Sequence, residues 1–173
     1  MRKAVALAVA TLVLGAGLIA VKTHPIERYQ RYRCKNVLKS LGYASWSYQH
    51  AHDQGPRQLA ALSNELVSPL SLVCPSSGHD PGDFTNADGW SDYTLIDWPS
   101  HLQTNTVPGN YPLAYDRRVS NHAGRGVNVL RVDGLVVWDA DVRWLRAFVA
   151  EHPNFGLLLP EQAATVTPTT TVR

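Results

Sequence analysis

The stretch that decides the fold is SNHAGRGVNVLRVDGLVVW, residues 120–138. Two runs rich in β-branched residues, 127–132 and 135–138, are joined directly by Asp133 and Gly134. Both linking residues tolerate the positive φ angles that a two-residue hairpin turn needs. We therefore predict an antiparallel hairpin in which backbone geometry determines the position of Asp133.

A turn is predicted just before this hairpin. Asn121 and His122 are followed by Gly124 and Gly126, a composition that favours a turn. We expect the Asn and His side chains to bond loose backbone groups there, so that the polar residues serve the structure.

A catalytic hypothesis for the same stretch is an exported hydrolase. His122 would act as the base, with Asp133 or Asp116 orienting its ring. A serine nucleophile would need a G-x-S-x-G setting, and no serine in the sequence has one. The structural interpretation is therefore favoured over the catalytic one, and no enzymatic activity is expected.

Helical and extended segments flank the hairpin. Two further β-rich runs, 93–97 and 112–115, predict a small antiparallel sheet. Apolar spacing predicts one buried helix face made of Cys34, Val37, Leu38, Leu41, Ala44, Ser45 and Tyr48. A short helix is predicted over 56–66, and Asp139 or Asp141 can cap another that runs to about residue 152. The predicted class is α+β.

Residues 74–92, CPSSGHDPGDFTNADGWSD, predict an extended surface loop because they are dense in Gly, Pro, Asp and Ser. A calcium hypothesis would use four of its side chains: Asp83, Asn86, Asp88 and Asp92. They lack EF-hand spacing, so an ordinary loop is favoured and no cofactor is expected. A further alternative is an extracytoplasmic ligand-binding module built from Trp90, Asp92, Tyr93 and Trp98.

An uninterrupted apolar run occupies residues 4–21, after Arg2 and Lys3. As a helix it would extend about 27 Å, close to the hydrocarbon thickness of a bilayer. We expect residues 1–25 to be a single-pass inner-membrane anchor, with the C-terminal domain in the periplasm. The alternative is a cleaved signal peptide, for which residues 18–20 form a poor cleavage site.

The chain has room for one domain, which we place at residues 26–159, followed by a disordered tail at 160–173. Pro25 is expected to kink or interrupt the helix that leaves the membrane. The net charge of +2 is spread over scattered Lys and Arg residues, so the charge gives no case for a nucleic-acid partner.

Cys34 and Cys74 are the two cysteines of the sequence. In an oxidising compartment an even number favours one disulfide, and two separate buried thiols are the alternative. The spacing disfavours a metal site, because there is no Cys-x-x-Cys pair and no adjacent histidine pair.

Three segments, in order behind the apolar helix, follow one family pattern. CKNVLKSLGYASWSYQHAHDQGP (34–56) is similar to a Cys-x-x-Asn-Leu-Lys-x-Leu-Gly-x-Ala opening, and LSLVCPSS (70–77) to a Leu-x-Cys-Pro-Ser element. PLAYDRRVSNHAGRGVNVLRVDGLVVW (112–138) is similar to a closing His, Gly-x-Asn-Val-Leu-Phe and Asp-Gly-His-Val hairpin. The chain thus resembles bacterial pseudopilin-like proteins, the prepilin-type processing-associated group related to type II secretion minor pilins. The signature residues of the closing segment are Asn121, His122, Gly124, Gly126, Asn128, Asp133 and Gly134.

The resemblance implies a long N-terminal helix, its first part in the membrane and its second packed on a small antiparallel sheet. It also implies a Cys34–Cys74 disulfide and a non-enzymatic protein that acts through protein contacts near a secretion or pilus system, with pseudopilins among its partners. Trp90 and Trp98 are candidate contact anchors.

The chain departs from the family pattern in two places. Members that polymerise begin with Gly-Phe-Thr-Leu-x-Glu, whereas residues 1–21 have no such motif and no acid. Arg131 and Leu135 stand where the family often has Phe and His.

Overall fold

The computed structural model describes residues 2–66, 68–97 and 107–160, with side chains from residue 27 onward. Over these residues an N-terminal helix packs on a four-stranded antiparallel sheet. The predicted α+β class is confirmed.

Helix α1 (Arg2–His52) has 51 residues and continues through Pro25, so the predicted interruption at this residue is wrong. A proline removes one backbone hydrogen bond, and a helix this long can lose one bond without ending. At 1.5 Å per residue α1 is about 76 Å long, several times the length of a five-residue strand. The sheet therefore covers only part of the helix.

The buried face of α1 is the one that the apolar spacing predicts. Cys34, Leu38 and Leu41 are fully buried, and Ala44 and Ser45 are nearly so. Their spacing of three or four residues keeps them on one side of the helix, where they contact the sheet and the loops before it.

The sheet is a simple meander with strand order β1-β2-β3-β4, every pair antiparallel. Its strands are β1 (Tyr93–Leu95), β2 (Pro112–Asp116), β3 (Gly126–Arg131) and β4 (Val136–Ala140). All four predicted strands are present, with ends shifted by at most two residues.

Two apolar clusters cover the two faces of the sheet. On one face Ala114 and Leu130 pack against α1. On the other, Tyr115, Val127 and Val129 pack against the helix that follows the sheet. Alternation along β2 and β3 sends neighbouring residues to opposite faces, so the sheet lies between two helices.

The second of these helices is α3 (Arg143–Glu151). As predicted, Asp139 caps this helix: from β4 its side chain accepts hydrogen bonds from the backbone N atoms of Trp144 and Leu145, each at 2.9 Å. These bonds satisfy two of the donors that a helix N-terminus leaves open.

The β3–β4 connection differs from the predicted two-residue turn. The backbone N of Gly134 donates to the carbonyl of Arg131 at 3.0 Å, and Gly134 has a φ of 80°. Asp133 does not have a positive φ. The loop is thus a four-residue turn over residues 131–134 whose last residue is a left-handed glycine, so it requires positive φ at Gly134 alone.

Other short elements lie between α1 and the sheet. The predicted 56–66 helix is wrong as an element: only Leu59–Leu62 forms a 3-10 turn, because the side chain of Asp88 accepts from the backbone N atoms of Leu59 and Ala60. Among the described residues the other helical turns before the sheet are Pro69–Leu72, Phe84–Asn86 and α2 (Ala87–Trp90); Val119–His122 lies between β2 and β3, and Pro153–Phe155 follows α3.

The 74–92 segment lies largely at the surface, as its composition predicts, but Ala87 and the residues at its two ends, Cys74 and Asp92, are buried. Of the predicted tail, residues 161–173 lie outside the described residues. Pro160, its first residue, is buried, so the packed part of the chain extends one residue past the predicted boundary.

Candidate functional site

Alternation along the strands places polar side chains on the sheet face that meets α1. Ala114 and Leu130 belong to the core formed with α1, and residues two positions away in a strand face the same side. Asp116 and Asn128 therefore face α1 from neighbouring strands. His122 joins them from the 3-10 turn that follows β2.

The carboxylate of Asp116 is the centre of this polar cluster. Its Oδ2 accepts from the backbone N of Asn128 at 2.6 Å and from Nδ2 of Asn128 at 2.9 Å, and lies 3.0 Å from Nε2 of His122. All three residues are buried: Asp116 is 0% exposed, Asn128 4% and His122 1%. Several donors on one oxygen offset the penalty of burying a carboxylate.

The Cys34–Cys74 disulfide lies against the same cluster. Both cysteines are fully buried, with their Cα atoms 5.6 Å apart. A ring nitrogen of His122 and the two Sγ atoms lie within 4.8 Å of one another. The predicted disulfide is present, and its neighbour is a buried histidine that lies far from both cysteines in the sequence.

Two atoms of the cluster have no hydrogen-bond partner among the residues that the structure describes. They are Nδ1 of His122 and Oδ1 of Asp116, both buried. Buried polar atoms are nearly always paired. The lack of a hydrogen-bond partner at Nδ1 of His122 among the described residues therefore needs an explanation.

A second buried carboxylate, Asp92, connects the segment around Cys74 to the turn before β3. Its Oδ2 accepts from the backbone N of Cys74 at 2.7 Å. Its Oδ1 accepts from Nδ2 of Asn121 and Nη1 of Arg118, each at 3.2 Å. Nδ1 of His79 lies 3.5 Å from Oδ2, so Asp92 holds together three separate stretches of the chain.

Tyr93 lies close enough to both carboxylates to interact electrostatically with them. Burial, followed by the negative charges of Asp116 and Asp92, raises the pKa of Tyr93 well above its ordinary value. The phenol is therefore neutral at physiological pH, and Tyr93 adds no charge to a region that already holds two buried acids.

Asn121 and His122 do not bond loose backbone groups as predicted. They contact the buried carboxylates of Asp92 and Asp116, because the turn lies over the core. Gly124 and Gly126 have φ angles of 73° and 145°, and a Cβ at Gly126 would collide with the neighbouring backbone of β4. These signature residues shape and fill the interior of the domain.

Of the two acids considered for the hydrolase hypothesis, the structure brings Asp116 to His122 and leaves Asp133 at the β3–β4 turn. There Asp133 accepts from the backbone N of Leu135 and pairs with Arg131. A general base must come within hydrogen-bond reach of its substrate. In this structure the His122 side chain is buried, 1% exposed.

The carboxylates of the calcium hypothesis bind backbone donors in different parts of the chain. Asp83 accepts from the nearby backbone N of Thr85, whereas Asp88 accepts from Leu59 and Ala60, far earlier in the sequence. Among the described residues these acids form no cluster of metal-ligating side chains. The one group of potential metal ligands within the described residues is Cys34, Cys74 and His122.

The residues of the ligand-binding alternative are also structural where they are described. Trp90 is half-buried and its Nε1 donates to the carbonyl of Asp83 at 2.8 Å, while Asp92 and Tyr93 are fully buried. Trp98 lies outside the described residues. Trp90 is therefore a packed side chain and not the exposed contact anchor that was predicted.

The exposed aromatics are elsewhere, on the side of α1 that faces away from the core. They are Tyr29, Tyr32, Tyr43 and Trp46, exposed by 61–75%. We call these four residues the aromatic face. They lie three, eleven and three residues apart, and eleven residues make three helical turns, so the side chains share one side of the helix.

A groove continues the aromatic face toward the sheet. It has a volume of about 430 Å³ and lies between α1 and the β3–β4 turn. Tyr43, Trp46, Leu113 and Val132 supply its apolar walls, and Lys39 and Asp133 add opposite charges. The face and the groove form one continuous exposed surface.

The helical spacing of Tyr29, Tyr32, Tyr43 and Trp46 is visible in the sequence and could have revealed this face. The cluster of Cys34, Cys74 and His122 has no such pattern, because its members come from three elements that only the folded chain brings together.

No protein-family model matches the chain, and neither the curated proteins nor the solved structures contain a significant match. In the part of the chain that the structure describes, no helix has the length and apolar character needed to cross a membrane. The side chains of the expected anchor, residues 1–25, lie outside that part.

Proposed function

We propose that this chain is a pilin-like, membrane-anchored subunit that acts through protein contacts, without catalysis, near a secretion or pilus system. The observation that carries the proposal is the aromatic face of α1. Four large aromatic side chains in one row remain exposed although the same helix buries its opposite side. Exposed apolar patches of this kind mark interaction sites.

The composition of the face suits a protein partner. Tyr and Trp are enriched in interfaces because they bring a large apolar area together with a polar group and lose little conformational freedom. Lys39 and Arg33 are exposed on the same helix. We therefore expect a partner with an apolar stripe bordered by acidic side chains.

The layout of the fold supports the pilin-like part of the proposal. A long N-terminal helix on a small antiparallel sheet is the arrangement that the pseudopilin resemblance implies, and the Cys34–Cys74 bond agrees with the disulfide it implies. Under the proposal residues 1–25 lie in the inner membrane and residues 26–159 in the periplasm, where a disulfide persists. The partners are other subunits of this kind, which present a helix to the aromatic face.

The polar clusters support a structural role for the interior. Asp92 and Asp116 are used to connect strands, turns and the disulfide segment, and both are fully buried. Because these buried polar groups already bind other parts of the domain, we expect its function to lie on its outer surface.

A double variant, Tyr43→Ser with Trp46→Ser, tests the proposal in membranes that contain the native partners. After mild detergent extraction, native electrophoresis should show the parent chain in a complex larger than its own 19.1 kDa. The double variant should migrate as the free subunit with an unchanged melting temperature, because both side chains are exposed. Leu70→Ser is the matched control, since Leu70 is 63% exposed and lies outside the aromatic face. A double variant that stays in the same complex would contradict the proposal.

A further inference from the structure

The disulfide and His122 together form a buried cluster of potential metal ligands. Two Sγ atoms and a ring nitrogen lie within 4.8 Å of one another, and all three residues are essentially inaccessible to solvent. Sulfur and imidazole nitrogen are the donor atoms of structural zinc sites. In the oxidised chain the sulfurs bind each other and are unavailable to a metal.

His122 is already held in the way that metal-binding histidines are held. One ring nitrogen, Nε2, lies 3.0 Å from the Asp116 carboxylate, and the other, Nδ1, is buried without a partner among the described residues. A histidine ligand commonly gives its second nitrogen to a carboxylate, which fixes the ring and makes the free nitrogen a better donor. Asn128 in turn holds the carboxylate through two hydrogen bonds.

We propose that reduction of the Cys34–Cys74 bond converts this cluster into a zinc site with Cys34, Cys74 and His122 as ligands. In the reduction a phosphine supplies two electrons and becomes the phosphine oxide by taking the oxygen of a water molecule, the S–S bond breaks, and the two protons of that water give two thiols. Zn²⁺ then displaces the two thiol protons, which return to solvent. Two thiolates balance the charge of the ion, so the buried site carries little net charge.

The distances allow the conversion without movement of the backbone. Tetrahedral zinc with Zn–S of about 2.3 Å and Zn–N of about 2.0 Å places its donor atoms roughly 3.5–3.8 Å apart. Once the S–S bond is broken, the sulfurs separate to that distance by side-chain rotation, and one ring nitrogen of His122 is already within 4.8 Å of both. The fourth position is left to water, because the described residues supply three ligands.

The test uses the full chain in detergent micelles, oxidised or reduced with a phosphine, titrated with Co²⁺ and then with Zn²⁺. The reduced chain should bind one equivalent of Co²⁺ with the visible bands of tetrahedral coordination and a sulfur charge-transfer band, and Zn²⁺ should displace it. The oxidised chain should show neither band. Equal spectra for the two redox states, or no binding by the reduced chain, would overturn the proposal.

Variants separate a built site from metal capture by loose thiols. His122→Gln should weaken zinc binding by at least tenfold, and Asp116→Asn by about tenfold, since loss of a carboxylate that orients a ligand costs 10- to 100-fold in affinity. His79→Ala is the control, because His79 pairs with Asp92 outside the cluster, and its affinity should equal that of the parent.

Melting temperatures distinguish a loss of zinc binding from a loss of the fold in the variants. Zinc should raise the melting temperature of the reduced parent, because a ligand that binds the folded state stabilises it, and should leave that of the oxidised parent unchanged. The rise should be lost in His122→Gln. If reduced His122→Gln gains as much as the parent, or the reduced parent gains nothing, the folded chain has no such site.

Discussion

Reduction of the Cys34–Cys74 bond is expected to lower the stability of the domain by an amount set by its position in the chain. The two cysteines are 40 residues apart and join the middle of α1 to the segment that leads into β1. Closing a loop of this length restricts the unfolded chain, and the chain-entropy estimate gives about 4 kcal/mol. For a domain of about 130 residues this corresponds to a fall in melting temperature of roughly 14 °C.

The assay is thermal unfolding of the full chain in detergent, followed by near-ultraviolet circular dichroism of the buried tyrosines. Oxidised and phosphine-reduced samples are compared with a chelator present, so that no metal replaces the cross-link. The oxidised mass should rise by two hydrogens on reduction. Cys34→Ala with Cys74→Ala is the control and should melt near the reduced parent under both conditions. A reduced, metal-free parent that melts within about 3 °C of the oxidised one would refute the reasoning.

Three further predictions concern the interior and the turns. Burial raises the pKa of Tyr115 to about 12, so this phenol ionises first in the unfolded chain, and stability that is fully present below pH 10 should fall between about pH 10 and 12. In urea unfolding at stepped pH, Tyr115→Phe should make the fall in the free energy of unfolding less steep by up to about 1.4 kcal/mol per pH unit, and Tyr43→Phe should leave it unchanged. Gly126→Ala should lower the free energy of unfolding by about 2–4 kcal/mol, because residues with a side chain rarely adopt its φ of 145° and the new Cβ would collide with backbone. Gly124→Ala, where a Cβ meets open space, should lower it by about 1 kcal/mol, and equal losses in urea titrations would contradict this. Asp92→Ala should cost about 3–5 kcal/mol in the same titrations, because the buried Cys74 N–H and two side chains that pair with the carboxylate lose their acceptor; a loss below 1 kcal/mol would show that the carboxylate does not hold these segments together.

Local patterns predict the elements of this fold well. Helical spacing identifies the buried face from Cys34 to Ser45, and β-rich runs identify all four strands. Both patterns work because they reflect which side chains are buried when the chain folds. Asp139 is correctly identified as a cap of α3. The patterns fail where a long-range contact competes, as for residues 56–66, where the side chain of Asp88 takes the backbone donors that a longer helix would use.

The polar clusters could be predicted only in part. The disulfide follows from the cysteine count and from the expectation of an oxidising compartment, but nothing local indicates that His122 comes to lie beside it. That Asp116 and Asn128 face the same side can be stated only when the register of β2 on β3 is known, because a one-residue shift of either strand would put the two side chains on opposite faces. Composition is equally misleading for Asp92, because an acid in a Gly- and Pro-rich segment is expected at the surface and this one is fully buried.

The most direct test of the proposed function is to replace Tyr43 with a photo-crosslinking amino acid and irradiate the full chain in its native membranes. A protein acting through the aromatic face should give a discrete adduct from position 43, identified by mass spectrometry as a pilin-like subunit or a component of a secretion or pilus system. The same probe at Leu70, which is also exposed (63% against 75% for Tyr43) but lies off the face, should give no such adduct. Adducts that are absent, or the same from both positions, would contradict a function carried by this face of α1.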